Sequence, residues 1–174
     1  MKLHNELWDY AAQLYAQPGV EAACLQLQQE WSLSVNRVLF CCWLAAEGRG
    51  LQVEQLGASQ ASQWQNSTTV PLRALRYQVR EQRQQEPALE HCYQALRRAE
   101  LVAEQVELGW LFALGRDWPV VATVGCPDLL LQNIVQYLRF EGLVPESRLL
   151  AVLQVLVQAA AGPLPARRVP QLQW

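Results

Sequence analysis

Apolar residues recur every three or four positions along most of this chain, which is the spacing of one buried face of an α-helix. Glycine or proline interrupts the pattern at intervals. Proline is tolerated at the first position of a helix because its missing N–H would have no partner there. Both signals predict a chain of short helices. The predicted helices lie near residues 5–16, 19–31, 34–47, 53–66, 71–84, 87–113, 127–141 and 145–161.

Two segments depart from this simple pattern. Residues 115–126 contain three valines that favour extended backbone, but a single strand would have no partner, so we predict a loop there. The segment 149–157 is apolar around most of its circumference, which is typical of a central helix or of an interface.

The composition indicates a folded domain. Of 174 residues, 51% are hydrophobic and 17% are charged, which excludes a disordered polyampholyte and leaves enough apolar surface for a core. We therefore predict an all-α fold, a compact bundle of about seven or eight helices. It forms a single domain over residues 1–162, followed by a proline-rich tail over residues 163–174.

The net charge and the cysteine pattern indicate where in the cell this protein resides and which kinds of partner it can bind. A net charge of −2 gives no global attraction to nucleic acid or to an anionic membrane. The five cysteines are odd in number and none lies in a C-x-x-C pair, which favours reduced thiols in a reducing compartment. The start of the chain lacks the apolar stretch of a signal peptide, and the longest apolar run is too short to cross a bilayer. We therefore expect a cytoplasmic protein that does not contact a membrane.

Few residues could support catalysis or bind a metal. His91 is adjacent to Cys92, but neighbours on a helix point apart and cannot form a nucleophile pair. Three glutamates recur at i, i+4 and i+7, the spacing of carboxylates in a helical metal site, yet no Glu-x-x-His motif accompanies them. We name them the acidic stripe: Glu100, Glu104 and Glu107. The sequence predicts no catalytic residue, no metal and no cofactor.

Four arginines form a second stripe on a neighbouring helix. We name them the arginine stripe: Arg73, Arg76, Arg80 and Arg83. At about 100° per residue they fall within about 80° of one another. Two interpretations remain open. If the next helix folds back, Arg73 lies level with Glu100 and the two stripes form structural ion pairs. Otherwise the arginines bind an anion or an acidic partner through their guanidinium groups.

Aromatic and amide side chains complete the set of candidates. Most of the seven tryptophans are predicted to pack in the core. Trp118 and Trp174 lie in the predicted loop and tail, where they suit a contact with the rest of the protein or with a partner. Asn36, near a helix start, is predicted to be a capping or core amide.

Five short motifs resemble those of a known family. They are W-x-x-A-x-x-L-Y at residues 8–15, P-G-V at 18–20, V-N-x-x-L-F-x-x-W-L at 35–44, P-L-R-x-L-R at 71–76 and A-E-L-x-A-E at 99–104. With these motifs the chain resembles an uncharacterised family of small helical proteins, a domain of unknown function best known from gamma-proteobacteria. The resemblance extends over residues 5–140. It implies an all-helical cytoplasmic bacterial protein and carries over no catalytic residue, cofactor or partner.

Three functions are compatible with these features. Our leading hypothesis is a non-enzymatic module or adaptor that binds another protein or a second copy of itself, because catalytic motifs are lacking and the last helix is strongly apolar. The first alternative is a binder of an anionic ligand, such as a nucleotide or an RNA backbone, through the arginine stripe. The second is an enzyme with a pocket between helices that uses Glu100 or Glu104 as acid or base.

Overall fold

Helices account for the fold of this protein, whose computed structural model describes residues 1–144 and 146–161. They are α1 (Glu6–Tyr15), α2 (Val20–Trp31), α3 (Val35–Ala46), α4 (Val53–Gly57), α5 (Gln60–Trp64), α6 (Val70–Gln82), α7 (Glu90–Gly115), α8 (Pro127–Phe140) and α9 (Ser147–Ala161). A π-helical turn (Gln65–Thr69) joins α5 to α6, and a 3₁₀ turn (Pro87–Leu89) precedes α7. The predicted all-α fold is confirmed. The described residues contain one isolated β-bridge, between Arg49 and Val120, and no strand.

The core is centred on α3. Ser34 caps this helix by accepting a hydrogen bond from the backbone N–H of Arg37, and every residue from 36 to 45 is buried. Helices α1, α7 and α8 pack around α3, while α9 packs mainly on α2 and leaves Gln158 on its outer face. The central helix of the bundle is therefore α3 and not the apolar final helix.

One of the predicted helices has the wrong boundaries, and another begins without the predicted break before it. The helix predicted near 53–66 is two helices, α4 and α5, separated by a short turn with a serine cap. The helix predicted near 71–84 is α6, whose ends at Val70 and Gln82 lie within two residues of the predicted ones, but the π turn makes it continuous with α5, so no break in the helix precedes Pro71. Just before it, the backbone N–H of Val70 donates to the carbonyl of Gln65, five residues earlier. This wider turn accommodates a proline, which has no N–H to donate, without ending the helix.

The remaining boundaries lie close to the predicted ones. α7 begins at Glu90 after the 3₁₀ turn and extends to Gly115. The predicted helix start at Pro145 falls outside the described residues, as does the predicted tail over 163–174 with Trp174. No helix within residues 1–144 or 146–161 is long and apolar enough to cross a membrane.

The segment 116–126 is a loop, as predicted, and it is anchored to the rest of the protein. Trp118 is buried, with its ring centre 5.7 Å from that of Phe40. The backbone N–H of Val121 donates to the carbonyl of Gly48 at 2.8 Å. Gly48 has φ +71°, and a side chain at this position would collide with the loop backbone, so only glycine fits there.

One part of the bundle stays outside the core. None of the apolar side chains of residues 62–107, a range that the structure describes in full, belongs to the main core cluster. We name residues 70–103, which comprise α6, the 3₁₀ turn and the first half of α7, the arm. We name the rest of the described chain the body. Within the arm α6 packs on α7, while the second half of α7 continues into the body and packs on α1 and α3.

Candidate functional site

Ion pairs hold the two helices of the arm together. Arg73 donates from Nε to Glu100 Oε1 at 2.9 Å and from Nη2 to Glu104 Oε1 at 2.6 Å. Arg76 donates to both carboxylate oxygens of Glu100, with its Nη2 3.2 Å from Oε1. Both arginine side chains are 14% exposed and that of Glu100 is 8% exposed. Two arginines therefore share one carboxylate in a largely buried cluster.

The carboxylates keep these arginines charged. Burial opposes the charge on Arg73, but hydrogen bonds to Glu100 and Glu104 outweigh that effect and raise the pKa of Arg73. Burial likewise opposes the charge on Arg76, and Glu100 raises its pKa. Burial raises the pKa of Glu104, although Arg73 opposes that shift. Separating these partners would leave an uncompensated buried charge. The cluster therefore fixes the position of α6 on α7.

Arg83 makes its contacts at the far end of the arm. Its Nη1 lies 2.5 Å from Glu90 Oε2, and its Cζ lies 3.9 Å from the centre of the Tyr93 ring. Hydrogen bonds from Gln94 and from Arg83 lower the pKa of Glu90. Three of the four arginines of the stripe are thus paired with carboxylates of α7.

Arg80 differs from the other arginines of the stripe. It is exposed, its Cζ lies 5.2 Å from the centre of the Tyr77 ring, and no carboxylate of the described chain pairs with it. Because α6 and α7 run antiparallel, the numbers of two facing residues add up to a nearly constant value, which is 173 to 177 for the contacts given above. Arg80 therefore lies opposite residues 93–97 of α7. Arg97, at the end of that range, is also exposed and has no ion pair within the described ranges. Two guanidinium groups without carboxylate partners therefore occupy facing turns of the arm.

Glu107 is separate from the arginine stripe. It is 1% exposed, and its carboxylate accepts hydrogen bonds from Asn36 Nδ2 at 3.1 Å and from Ser34 Oγ at 3.5 Å. Asn36 also donates to the carbonyl of Glu104 at 3.2 Å, so it is a core amide that joins α3 to α7. Burial raises the pKa of Glu107 to about 7. Two of the three glutamates of the acidic stripe pair with the arginines, and the third binds the start of α3.

Arg37 is a buried cation that the sequence pattern did not single out. It is 5% exposed, its Nη1 lies 3.0 Å from Glu141 Oε1, and its Nη2 donates to Ser62 Oγ at 2.8 Å. These partners come from segments far along the chain, so their positions gave no clue. The available signal was the presence of a cation inside the otherwise apolar helix α3.

Groups suited to other chemistry are dispersed. Among the described residues, no group of three or more His, Cys, Asp or Glu side chains is placed to hold a metal ion. Cys24, Cys41 and Cys42 are buried free thiols, and burial raises the pKa of each of them, that of Cys24 to about 12. His91 and Cys92 are both exposed on the arm. A shallow cleft of about 420 Å³ lies on the body between α4 and α8.

A comparison with known protein families identifies the family of this chain. A family model described as a protein of unknown function (DUF2390) matches residues 6–111, more than half of the chain, and the chain belongs to this family. The matched range spans the positions of the motifs that carry the resemblance, and it ends at residue 111, short of the expected extension to residue 140. No curated protein matches the chain, and no solved structure does.

Proposed function

We propose that this member of the DUF2390 family is a non-enzymatic protein–protein interaction module and that the arm is its docking surface. The family model assigns no function, so the proposal depends on the physical properties of the arm. In this proposal the partner is another protein or a second copy of the chain.

The exposed apolar side chains of the arm carry this proposal. Leu75 is 45% exposed, Leu101 is 56% exposed and Val102 is 54% exposed, although all three lie within regular helices. Single exposed apolar residues are ordinary on protein surfaces. These residues, however, belong to the arm, none of whose apolar side chains joins the main core cluster, so core packing does not account for them. A partner that covers them would.

The arm is also preorganised for docking. Arg73 and Arg76 hold α6 on α7 through Glu100, and Gln28 of α2 donates to Tyr77 Oη at 3.1 Å, which ties the arm to the body. A surface that is already ordered loses less conformational freedom on binding, which favours affinity.

Site-specific cross-linking in cells tests the proposal. A photoreactive amino acid replaces Leu75 or Leu101 on the arm, or Leu25, which is 42% exposed on the body and serves as the matched control. We expect both arm positions to cross-link the same discrete protein species, with little product from Leu25. Equal yields from all three positions, or no product from either arm position, would contradict the proposal.

An anion-binding function has narrower support. Arg73, Arg76 and Arg83 already have carboxylate partners, so Arg80 is the member of the stripe best placed to contact a nucleotide or an RNA phosphate. The enzyme hypothesis has less support still. Glu100 is shared by two arginines, and Glu104, despite its raised pKa, is bonded to Arg73.

The expected cytoplasmic location belongs to the same proposal. All five cysteines are free, and three of them are buried, as in a protein that stays in a reducing compartment. Fractionation of cells that produce the protein would test this, with recovery from an oxidising compartment as the contrary result.

A further inference from the structure

We infer that the partner of the arm is an acidic amphipathic helix of another protein, which docks across Arg80, Arg97 and Leu101. The inference rests on the proposed function and names the chemistry of its partner. Arg97 and Leu101 are four residues apart on α7, so they lie on one face, and Arg97 belongs to the range 93–97 that the register of the arm brings opposite Arg80. We name these three residues the docking patch.

The charge of the arm is complementary to such a partner. The arm contains six arginines and four glutamates, a net charge of +2, whereas residues 1–69 and 104–161 contain six cations and twelve carboxylates, a net charge of −6. Glu100 already pairs with Arg73 and Arg76, Glu90 pairs with Arg83, and Glu104, the first residue after the arm, pairs with Arg73. Of the other charged residues of the arm, Glu81 and Glu86 are exposed carboxylates, and Arg80, Arg97 and Arg98 are exposed arginines without an ion pair in the described chain, so the exposed charge that remains is in excess positive. Carboxylates supplied by a second protein would neutralise them.

The apolar residues favour a protein helix over a nucleic acid. α7 repeats an arginine followed four residues later by an apolar side chain: Arg97 with Leu101, and Arg98 with Val102. All four are exposed. A phosphate backbone would use the cations and leave Leu101 and Val102 in water, whereas a helix with leucine and glutamate on one face would cover both kinds of residue. The acidic body would also repel a long polyanion.

Charge reversal with two synthetic helical peptides tests the inference. One peptide presents leucine and glutamate on one face, and the other has lysine in place of glutamate. We expect the wild-type protein to bind the glutamate peptide and to discriminate against the lysine peptide. The double variant Arg80→Glu, Arg97→Glu should lose affinity for the glutamate peptide at least about tenfold and should gain affinity for the lysine peptide. Raising the salt concentration should weaken the wild-type complex.

Matched controls make the result decisive. Arg116→Glu removes an exposed arginine of the body and should leave peptide binding unchanged. The milder pair Arg80→Gln, Arg97→Gln, with urea denaturation of each variant, separates lost docking from lost folding. Equal binding of the two peptides by the wild type would overturn the inference. So would tighter binding of a single-stranded RNA oligonucleotide, or an equal loss of affinity in Arg116→Glu.

The cross-linking positions separate this inference from the proposed function. If the arm cross-links a partner and the double charge reversal leaves that product intact, the arm is a docking surface but its partner is not acidic. If the wild-type arm yields no product from Leu75 or Leu101, the proposed function itself fails. Loss of the product in the double variant, with retention in Arg116→Glu, would support both.

Discussion

The body and the arm belong to one chain, yet different interactions stabilise them. In the body, α3 buries every residue from 36 to 45 among the surrounding helices. In the arm, the buried apolar residues are Val79 and Ala103, and the interface is completed by arginines and glutamates. Apolar burial is non-directional, whereas guanidinium–carboxylate pairs require one geometry. Helices with similar apolar periodicity can therefore either form the core or pack outside it. In the second case, ion pairs set the register between the helices.

The largest expected effect comes from making the same leucine-to-alanine change once in each region. Leu44 is fully buried in the body, whereas Leu101 is 56% exposed on the arm. We expect Leu44→Ala to lower the free energy of unfolding by about 4 kcal/mol because it leaves a cavity, and Leu101→Ala to change it by less than about 0.5 kcal/mol. Urea denaturation of both variants measures the difference. Similar losses would show that the arm shares the core of the body.

The next effect concerns Glu107, where the arm continues into the body. Its native pKa of about 7 lies above the ordinary value of 4.5, so the folded protein holds the proton more tightly than the unfolded chain. This contribution to stability is complete below pH 4.5 and is lost as the pH rises to 7 and beyond. At about 1.4 kcal/mol per pH unit, the total is on the order of 3 kcal/mol.

The variant Glu107→Gln isolates that contribution. Its free energy of unfolding, measured by urea denaturation from pH 4 to pH 8, should rise relative to that of the wild type as the pH increases. The exposed body residue Glu54, changed to glutamine, is the control and should run parallel to the wild type. A Glu107→Gln curve parallel to that of the wild type would mean that the carboxyl titrates at its ordinary pKa.

The smallest of the three effects tests the charge cluster of the arm. Glu100→Gln should lower the free energy of unfolding by about 2 kcal/mol, since Arg73 and Arg76 lose their shared carboxylate while remaining partly buried. Glu81→Gln changes an exposed glutamate of α6 and should have almost no effect. Hydrogen exchange should place the loss in α6 and the first half of α7. A loss spread over the body would contradict the division into two regions.

Local sequence patterns predicted where the helices lie better than they predicted how consecutive helices are joined. The spacing of apolar residues was enough to predict the all-α fold, and the lack of a partner strand was enough to predict a loop at 115–126, which the structure has at 116–126. The start of α6 was predicted to within one residue, but the break expected before Pro71 is absent, because a widened turn can accommodate a proline and nothing in the neighbouring residues marks that turn. Arg37 and its contacts with Ser62 and Glu141 were missed because those residues are distant in the chain.

The sequence by itself determined that this chain forms amphipathic helices and that cations and carboxylates occupy regular positions along α6 and α7. Periodicity suffices for that, because it depends only on the turn of the helix. Tertiary structure alone decided which charges meet. The antiparallel register of α6 and α7 gave Arg73 and Arg76 their carboxylates and left Arg80 without one, while the packing of α3 on α7 placed Asn36 against Glu107. Side chains on facing helices come within hydrogen-bonding distance only at one relative position of the two axes, and packing sets that position.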